Sequence, residues 1–202
     1  MSLIYTPEEE AFRAEVRTFL QNEYPEEVKE AVRAGKRPTR EQTIRGQKAL
    51  AKGGYAAPKW PVAWGGQDWT PMQSFIFSEE VIANDIAPTN GFGIGLLAPV
   101  LVEFGTQEQK ERFLPAIYNA DQYWCQGFSE PEAGSDLASV RTRAVRDGDN
   151  YIVNGQKTWT TLGQHANMIF CLVRTDREAK PQQGISFLLI DMATPGVSVT
   201  PI

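Results

Sequence analysis

The spacing of apolar residues changes near residue 122. Before that point they recur at three- and four-residue intervals. After it they fall in short runs rich in β-branched and aromatic residues, separated by turn signals. In the first part, four threonines each stand three positions before a Glu or Gln: Thr6/Glu9, Thr39/Gln42, Thr70/Gln73 and Thr106/Gln109. This is the capping box, in which a hydroxyl and an acid or amide satisfy the free N–H groups of a helix start. Pro7 and Pro71 add the residue favoured at the first helical position. The spacing predicts a helix after each box. Phe12, Val16, Phe19 and Leu20 share a face of the first. Ile44 and Leu50 belong to the second, which Gly53-Gly54 would end. Phe75, Ile76, Val81 and Ile82 belong to the third. A further apolar helix is predicted over about residues 92–104, and the last begins at Thr106 and stops near Leu114-Pro115. Residues 57–69 read as an ordered loop whose tryptophans Trp60, Trp64 and Trp69 seal a core edge.

In the second part, strands are predicted over residues 123–128, 139–145, 151–157, 166–175, 184–192 and 196–201. Asp147-Gly148-Asp149-Asn150 and Thr194-Pro195-Gly196 supply turn chemistry, and Asn154-Gly155 marks a further turn or bend. Strands do not alternate with helices, which argues against a parallel dinucleotide-binding sheet and for an antiparallel barrel or sandwich. The expected fold is therefore α+β: an all-helical domain over residues 1–121, then an antiparallel β-barrel domain over residues 122–202.

Composition narrows the chemistry. The net charge of −5 gives no electrostatic reason to bind nucleic acid or an anionic membrane. The one histidine, His165, reads as a turn or core-edge residue and leaves nothing for a His-based triad or a His-rich metal site; no metal is expected. Cys125 and Cys171 are too few for a disulfide scaffold and read as buried thiols. The acidic start, MSLIYTPEEE, lacks the features of a signal peptide, and residues 91–102 are too short to span a bilayer. The expectation is a soluble, cytoplasmic protein that borrows its chemistry from a cofactor or from a few carboxylates and hydroxyls.

Candidate motifs differ in weight. Gly91-Phe92-Gly93-Ile94-Gly95 lacks the G-x-G-x-x-G spacing and a preceding strand, so it reads as glycines allowing close helix packing. Arg141 and Arg143 share a strand face, read as solvated rather than as an anion site. Two stretches are more informative. The loop Phe128-Ser129-Glu130-Pro131-Glu132-Ala133-Gly134-Ser135-Asp136 can present hydroxyls and backbone N–H groups to a phosphate or a heteroaromatic edge. In Asn154-Gly155-Gln156-Lys157-Thr158-Trp159-Thr160-Thr161, an indole stands among three threonines. Together they suit a planar cofactor with polar edges.

These two stretches resemble the S/T-E-P-x-x-G-S-D and N-G-x-K-x-W-I/T-T motifs of acyl-CoA dehydrogenases. Residues 61–66, 104–110, 113–115, 184–186 and 194–197 resemble further motifs of that family, so the likeness covers essentially the whole chain in order. It implies the family's helical N-terminal and β-barrel middle domains. The family's C-terminal helical bundle has no counterpart, so the chain looks like a fragment. The resemblance implies FAD as cofactor and oxidation of an acyl-CoA thioester to the trans-2-enoyl-CoA. Gln126, Gly127, Phe128 and Ser129 would line the flavin ring, with Ser129 at its pyrimidine edge. Ser135 would meet the FAD pyrophosphate or lie beside the acyl-CoA. Trp159 would lie against the flavin, with Thr160 and Thr161 at its edge. The family's catalytic glutamate belongs to the bundle, so no base is assigned and the fragment alone is expected to be inactive; Glu80 and Glu103 are where a base inside the chain would be sought first. Glu132 departs from the family's usual glycine and adds a negative charge near the expected phosphates. Implied partners are the acyl-CoA, an electron-transfer flavoprotein or similar acceptor, and further subunits of a homo- or hetero-oligomer. An acyl-CoA oxidase, a flavin monooxygenase and a flavin-free interaction module remain open.

Overall fold

The computed structural model describes residues 5–202; the first four residues of the stretch read for a signal peptide lie outside it. The described residues divide into two compact units that meet between Asp121 and Gln122.

The first unit is helical: α1 (Pro7–Asn22), α2 (Glu26–Arg33), α3 (Arg40–Lys52), α4 (Pro71–Ala83), α5 (Ala98–Phe104) and α6 (Gln107–Tyr118). All four capping boxes form in both directions, at the starts of α1, α3, α4 and α6. Each such cap is worth about 1 kcal/mol. The core gathers Val16, Leu20, Tyr24, Val28, Leu50 and Tyr55. Beside it Phe12 meets Trp69 edge-on at 5.2 Å, and Trp69 meets Phe77 at 5.1 Å. Trp60 is buried and donates from Nε1 to the Ile94 carbonyl at 2.9 Å. The tryptophan loop therefore closes a core edge, as its composition suggests.

Four helical expectations are corrected. The helix α2 has no capping box; it forms because Val28 is fully buried in the core and Val32 packs against it. The helix α6 runs through Pro115 to Tyr118, because Leu114 and Ile117 are buried and their packing outweighs the lost hydrogen bond. On α4 only part of the apolar stripe faces inward: Ile76 is buried, whereas Phe75 and Ile82 are exposed. The predicted helix over 92–104 opens as a π-helical segment, Phe92–Leu97, that continues into α5. Close packing does not account for Gly91 and Gly95, since a Cβ at either would meet open space.

The second unit carries β1 (Trp124–Gly127), β2 (Arg143–Asp147), β3 (Asn150–Asn154), β4 (Met168–Arg174) and β5 (Ile185–Asp191) in one sheet. β2 and β3 form a hairpin closed by Gly148-Asp149, with Gly148 at a φ of +61°. β5 runs antiparallel to β4 along its whole length. The all-antiparallel expectation is corrected: β1 and β4 are parallel, with Cys125 opposite Ile169 and Gly127 opposite Cys171, and β2 also meets β4 in parallel. Local turn chemistry fixes only neighbouring hairpins. The 40-residue excursion between β1 and β4 lets the chain return in the same direction. β4 is the most buried strand, consistent with its unbroken apolar run Met168–Val173.

The other strand limits shift as well. Leu137–Ser139 is a single 3-10 turn, so β2 starts later than predicted. β3 ends at Asn154, earlier than predicted, and the next residue must be small: a Cβ at Gly155 would stand 2.6 Å from the Cα of Thr142. Residues 196–201 form no strand; the Val197 N–H closes a turn on the Thr194 carbonyl, with Gly196 at a φ of +91°.

Candidate functional site

β1 delivers Gln126, Gly127, Phe128 and Ser129 beside β4. Gly127 permits the close approach: a Cβ there would lie 2.7 Å from Cδ1 of Ile169. The Phe128 ring is committed to the sheet core, edge-on to Phe170 at 5.8 Å and to Phe187 at 6.4 Å. What this residue can offer a ligand is therefore main chain rather than ring.

The chain then turns sharply: Glu130 and Ala133 exchange two backbone hydrogen bonds, of 2.8 and 3.1 Å. The Glu130 side chain is buried. Its carboxylate accepts from the backbone N–H groups of Arg141 (2.7 Å) and Thr142 (2.9 Å) and from Lys157 Nζ (2.8 Å). Burial alone would raise the Glu130 carboxyl, but Lys157 and the bonds from Thr142 and Arg141 outweigh it and hold it at about 2. Lys157 Nζ also donates to the Phe128 carbonyl at 3.1 Å, and the Thr158 N–H donates to the Ser129 carbonyl at 2.9 Å.

Trp159 follows directly. It is a non-glycine residue at a φ of +55°, and the residue is 73% exposed. The Thr161 N–H bonds the Trp159 carbonyl and the Gly163 N–H bonds that of Thr160, both at 2.9 Å. Leu162 is also left-handed, with φ +66°. Thr160 is half-buried, while Thr161 is exposed.

The structure thus brings Gln126–Ser129 and residues 157–161 together, although they lie about 30 positions apart in the chain. Ser135 is different: it sits on the exposed stretch 134–136, and among the described residues no hydrogen bond ties it to that pair. Glu132 is exposed and forms an ion pair with exposed Arg141. A cavity of about 560 Å³ opens nearby, lined by residues including Asp136, Ser139, Arg141, Arg174 and Arg177. Sequence reading missed Arg174 and gave Lys157 no role beyond its place in the motif. Arg174 binds the carbonyls of Ala138, Val140 and Pro181. Its one signal is a cation closing an otherwise apolar strand.

Other reactive side chains are accounted for. Burial pushes the Cys125 thiol up to about 12 and also raises that of Cys171, so both are poor nucleophiles. His165 is exposed on the short turn Gly163–His165. Glu80 is buried in the helical unit, and hydrogen bonds from Arg17, then Arg13, lower its carboxyl against the effect of burial. A carboxylate so well satisfied is a poor proton acceptor. Among the described residues no three His, Cys, Asp or Glu side chains gather as a metal site, and no helix is long and apolar enough to cross a membrane.

Known proteins repeat this layout. Residues 6–121 match the family description "Acyl-CoA dehydrogenase, N-terminal domain", and residues 125–202 match "Acyl-CoA dehydrogenase, middle domain". The acyl-CoA dehydrogenase FadE26 of Mycobacterium tuberculosis is 39% identical over 210 residues, covering 100% of this chain and 52% of its own length. Among solved structures, the one described as "Tcur3481-Tcur3483 steroid ACAD" superposes with a TM-score of 0.81 at 32% identity, over 100% of this chain and 52% of the other. The ChsE4-ChsE5 complex of M. tuberculosis gives a TM-score of 0.73 at 38% identity, over 96% and 49%. The chain spans about half the length of these relatives. With a capped helical unit, then a sheet unit that fixes the Ser129 loop against the Trp159 segment, and with both family descriptions met in that order, the chain belongs to the acyl-CoA dehydrogenase family.

Proposed function

We propose that the sheet unit, as the family's middle domain over residues 122–202, holds an FAD, and that the complete protein oxidises an acyl-CoA thioester to the trans-2-enoyl-CoA. The observation that carries this reading is Trp159. A tryptophan left 73% exposed forgoes burial worth roughly 2–3 kcal/mol, and its left-handed backbone costs about 1–2 kcal/mol more. A chain that keeps both costs beside the hydrogen-bonded Glu130–Lys157 framework has the character of a preformed ligand wall. The donor set fits a flavin: a flat apolar face at Trp159 and hydroxyls at Ser129, Thr160 and Thr161 for a polar ring edge.

When bound, FAD supplies the acceptor for the hydrogen leaving the β carbon with its electron pair. The chain's own residues bind and orient. Ser129 faces the pyrimidine edge, Gln126 and Gly127 offer main chain, Thr161 stands at the flavin edge, and Ser135 meets a phosphate or the acyl-CoA. Arg141, Arg174 and Arg177 give the neighbouring cavity a positive lining suited to nucleotide phosphates. The proton at the α carbon needs a carboxylate, which we assign to no residue of this chain.

A relative described as a steroid ACAD supports a bulky polycyclic acyl group, and a relative solved as a complex of two named chains supports action in an oligomer. The electron acceptor would be an electron-transfer flavoprotein or its equivalent, in the cytoplasm.

Titrating the chain with FAD while following flavin fluorescence tests the reading. We expect saturable quenching that Trp159→Ala weakens at least tenfold, from lost aromatic stacking. Absence of saturable quenching, or equal binding by the variant, overturns it.

A further inference from the structure

Two carbonyls just beyond β1, those of Phe128 and Ser129, are both taken by a segment distant in sequence: Phe128 O by Lys157 Nζ and Ser129 O by the Thr158 N–H. The same ammonium group reaches Glu130, whose other acceptor positions are filled by the N–H groups of Arg141 and Thr142. The Lys157 side chain is 10% exposed and that of Glu130 8%. Three main-chain stretches, at 128–130, 141–142 and 157–158, are thus locked through one ion pair. Trp159 is the next residue along, and its left-handed backbone persists only if its surroundings fix it. Among the described residues no other side-chain hydrogen bond joins residues 128–130 to residues 157–161. The contrast with the surface pair Glu132–Arg141 is direct. That pair is exposed on both sides and joins residues already close in the chain.

We infer that Glu130 and Lys157 are positioning residues that set Ser129 and Trp159 relative to one another, and so shape the ligand wall without touching the ligand. The part of this that concerns flavin rests on the function proposed above. Lys157 does two things at once. It neutralises a carboxylate that organises the turn, and it ties down the carbonyl preceding Ser129. Replacing Glu130 by Gln and Lys157 by Met removes both charges and should therefore leave one of the two amides, that of Arg141 or Thr142, an acceptor in the Gln carbonyl oxygen, but free the Trp159 segment. A purely structural pair would behave otherwise, since restoring stability would restore everything.

The test compares Lys157→Met with the double variant Glu130→Gln/Lys157→Met in the full chain. Amide hydrogen exchange at Thr158 is read without ligand, and FAD affinity is read by fluorescence quenching. A core variant remote from the pair, Val16→Ala, controls for lost stability alone. We expect the single variant to melt well below the wild type, as a buried carboxylate without its partner should. The double variant should recover much of the melting temperature yet still exchange Thr158 at least tenfold faster and bind FAD at least tenfold more weakly. Val16→Ala should lower the melting temperature and change neither reading. Wild-type exchange at Thr158 in a folded double variant overturns the inference, as does wild-type FAD affinity there. Should the double variant not fold, Lys157→Gln with Glu130 intact is read in the same two ways. If the wild-type chain takes up no FAD, the proposed function fails, while Thr158 exchange still decides whether the pair positions Trp159.

Discussion

Among the described residues each unit buries one carboxylate, Glu80 or Glu130, and the two are built differently. Glu80 in the helical unit is bound by side chains: Arg17 at 2.8 and 2.9 Å, Arg13 at 3.0 Å and Asn84 at 3.2 Å. It ties α1 to α4, with Tyr5 and Glu79 extending the network. Glu130 in the sheet unit is bound chiefly by main chain and by a single lysine. The first joins two elements whose conformation is already fixed by helical hydrogen bonds. The second fixes the conformation of loops that have no ladder of their own. A buried ion pair between regular elements supports their packing; one between loops decides where the loops go. That is why the second lies beside the strained, exposed Trp159.

The largest effect is expected at Glu80. Glu80→Ala leaves the largely buried Arg13 without its inner partner and should destabilise the helical unit by about 3–5 kcal/mol, read as a lower melting temperature by circular dichroism. An effect under about 1 kcal/mol would make the network a surface decoration and erase the comparison.

Acid should act on the sheet unit next. The folded pKa of Glu130, at about 2, lies below its unfolded value. Its stabilisation is therefore complete above about pH 5 and is lost as the pH falls toward 2. The difference amounts to roughly 3 kcal/mol at neutral pH. Denaturant unfolding of Glu130→Gln should show a flatter acid limb than the wild type; identical limbs would deny that Glu130 carries the charge linkage.

Gly155→Ala should cost about 1–3 kcal/mol, because the added methyl meets the backbone of Thr142 and displaces the strand that leads to Lys157. It sharpens the comparison if Thr158 exchange rises with it. The smallest effect is expected for a single cap. Thr39→Ala should remove about 1 kcal/mol from the helical unit in a urea titration and leave Thr158 exchange unchanged.

The helices were legible because their signals are local. A capping box needs four consecutive residues, and all four boxes formed where the spacing put them. The helix α2 escaped because it lacks a capping box and rests on packing of Val28 and Val32 against residues distant in sequence. The site was legible as two motifs rich in hydroxyls and one indole. Their mutual placement was not, because it rests on Lys157, a residue whose type alone suggests a solvated surface.

The sequence by itself determined the four capped helix starts, those of α1, α3, α4 and α6, and the apolar runs that became β1 to β5. Each of those depends on spacing within one or two turns of chain. Tertiary structure alone decided that β1 and β4 run parallel, that residues 196–201 stay out of the sheet, and that the Ser129 loop meets the Trp159 segment. Those outcomes depend on pairings across tens of residues, where the free energy lies in buried partners that no local pattern specifies.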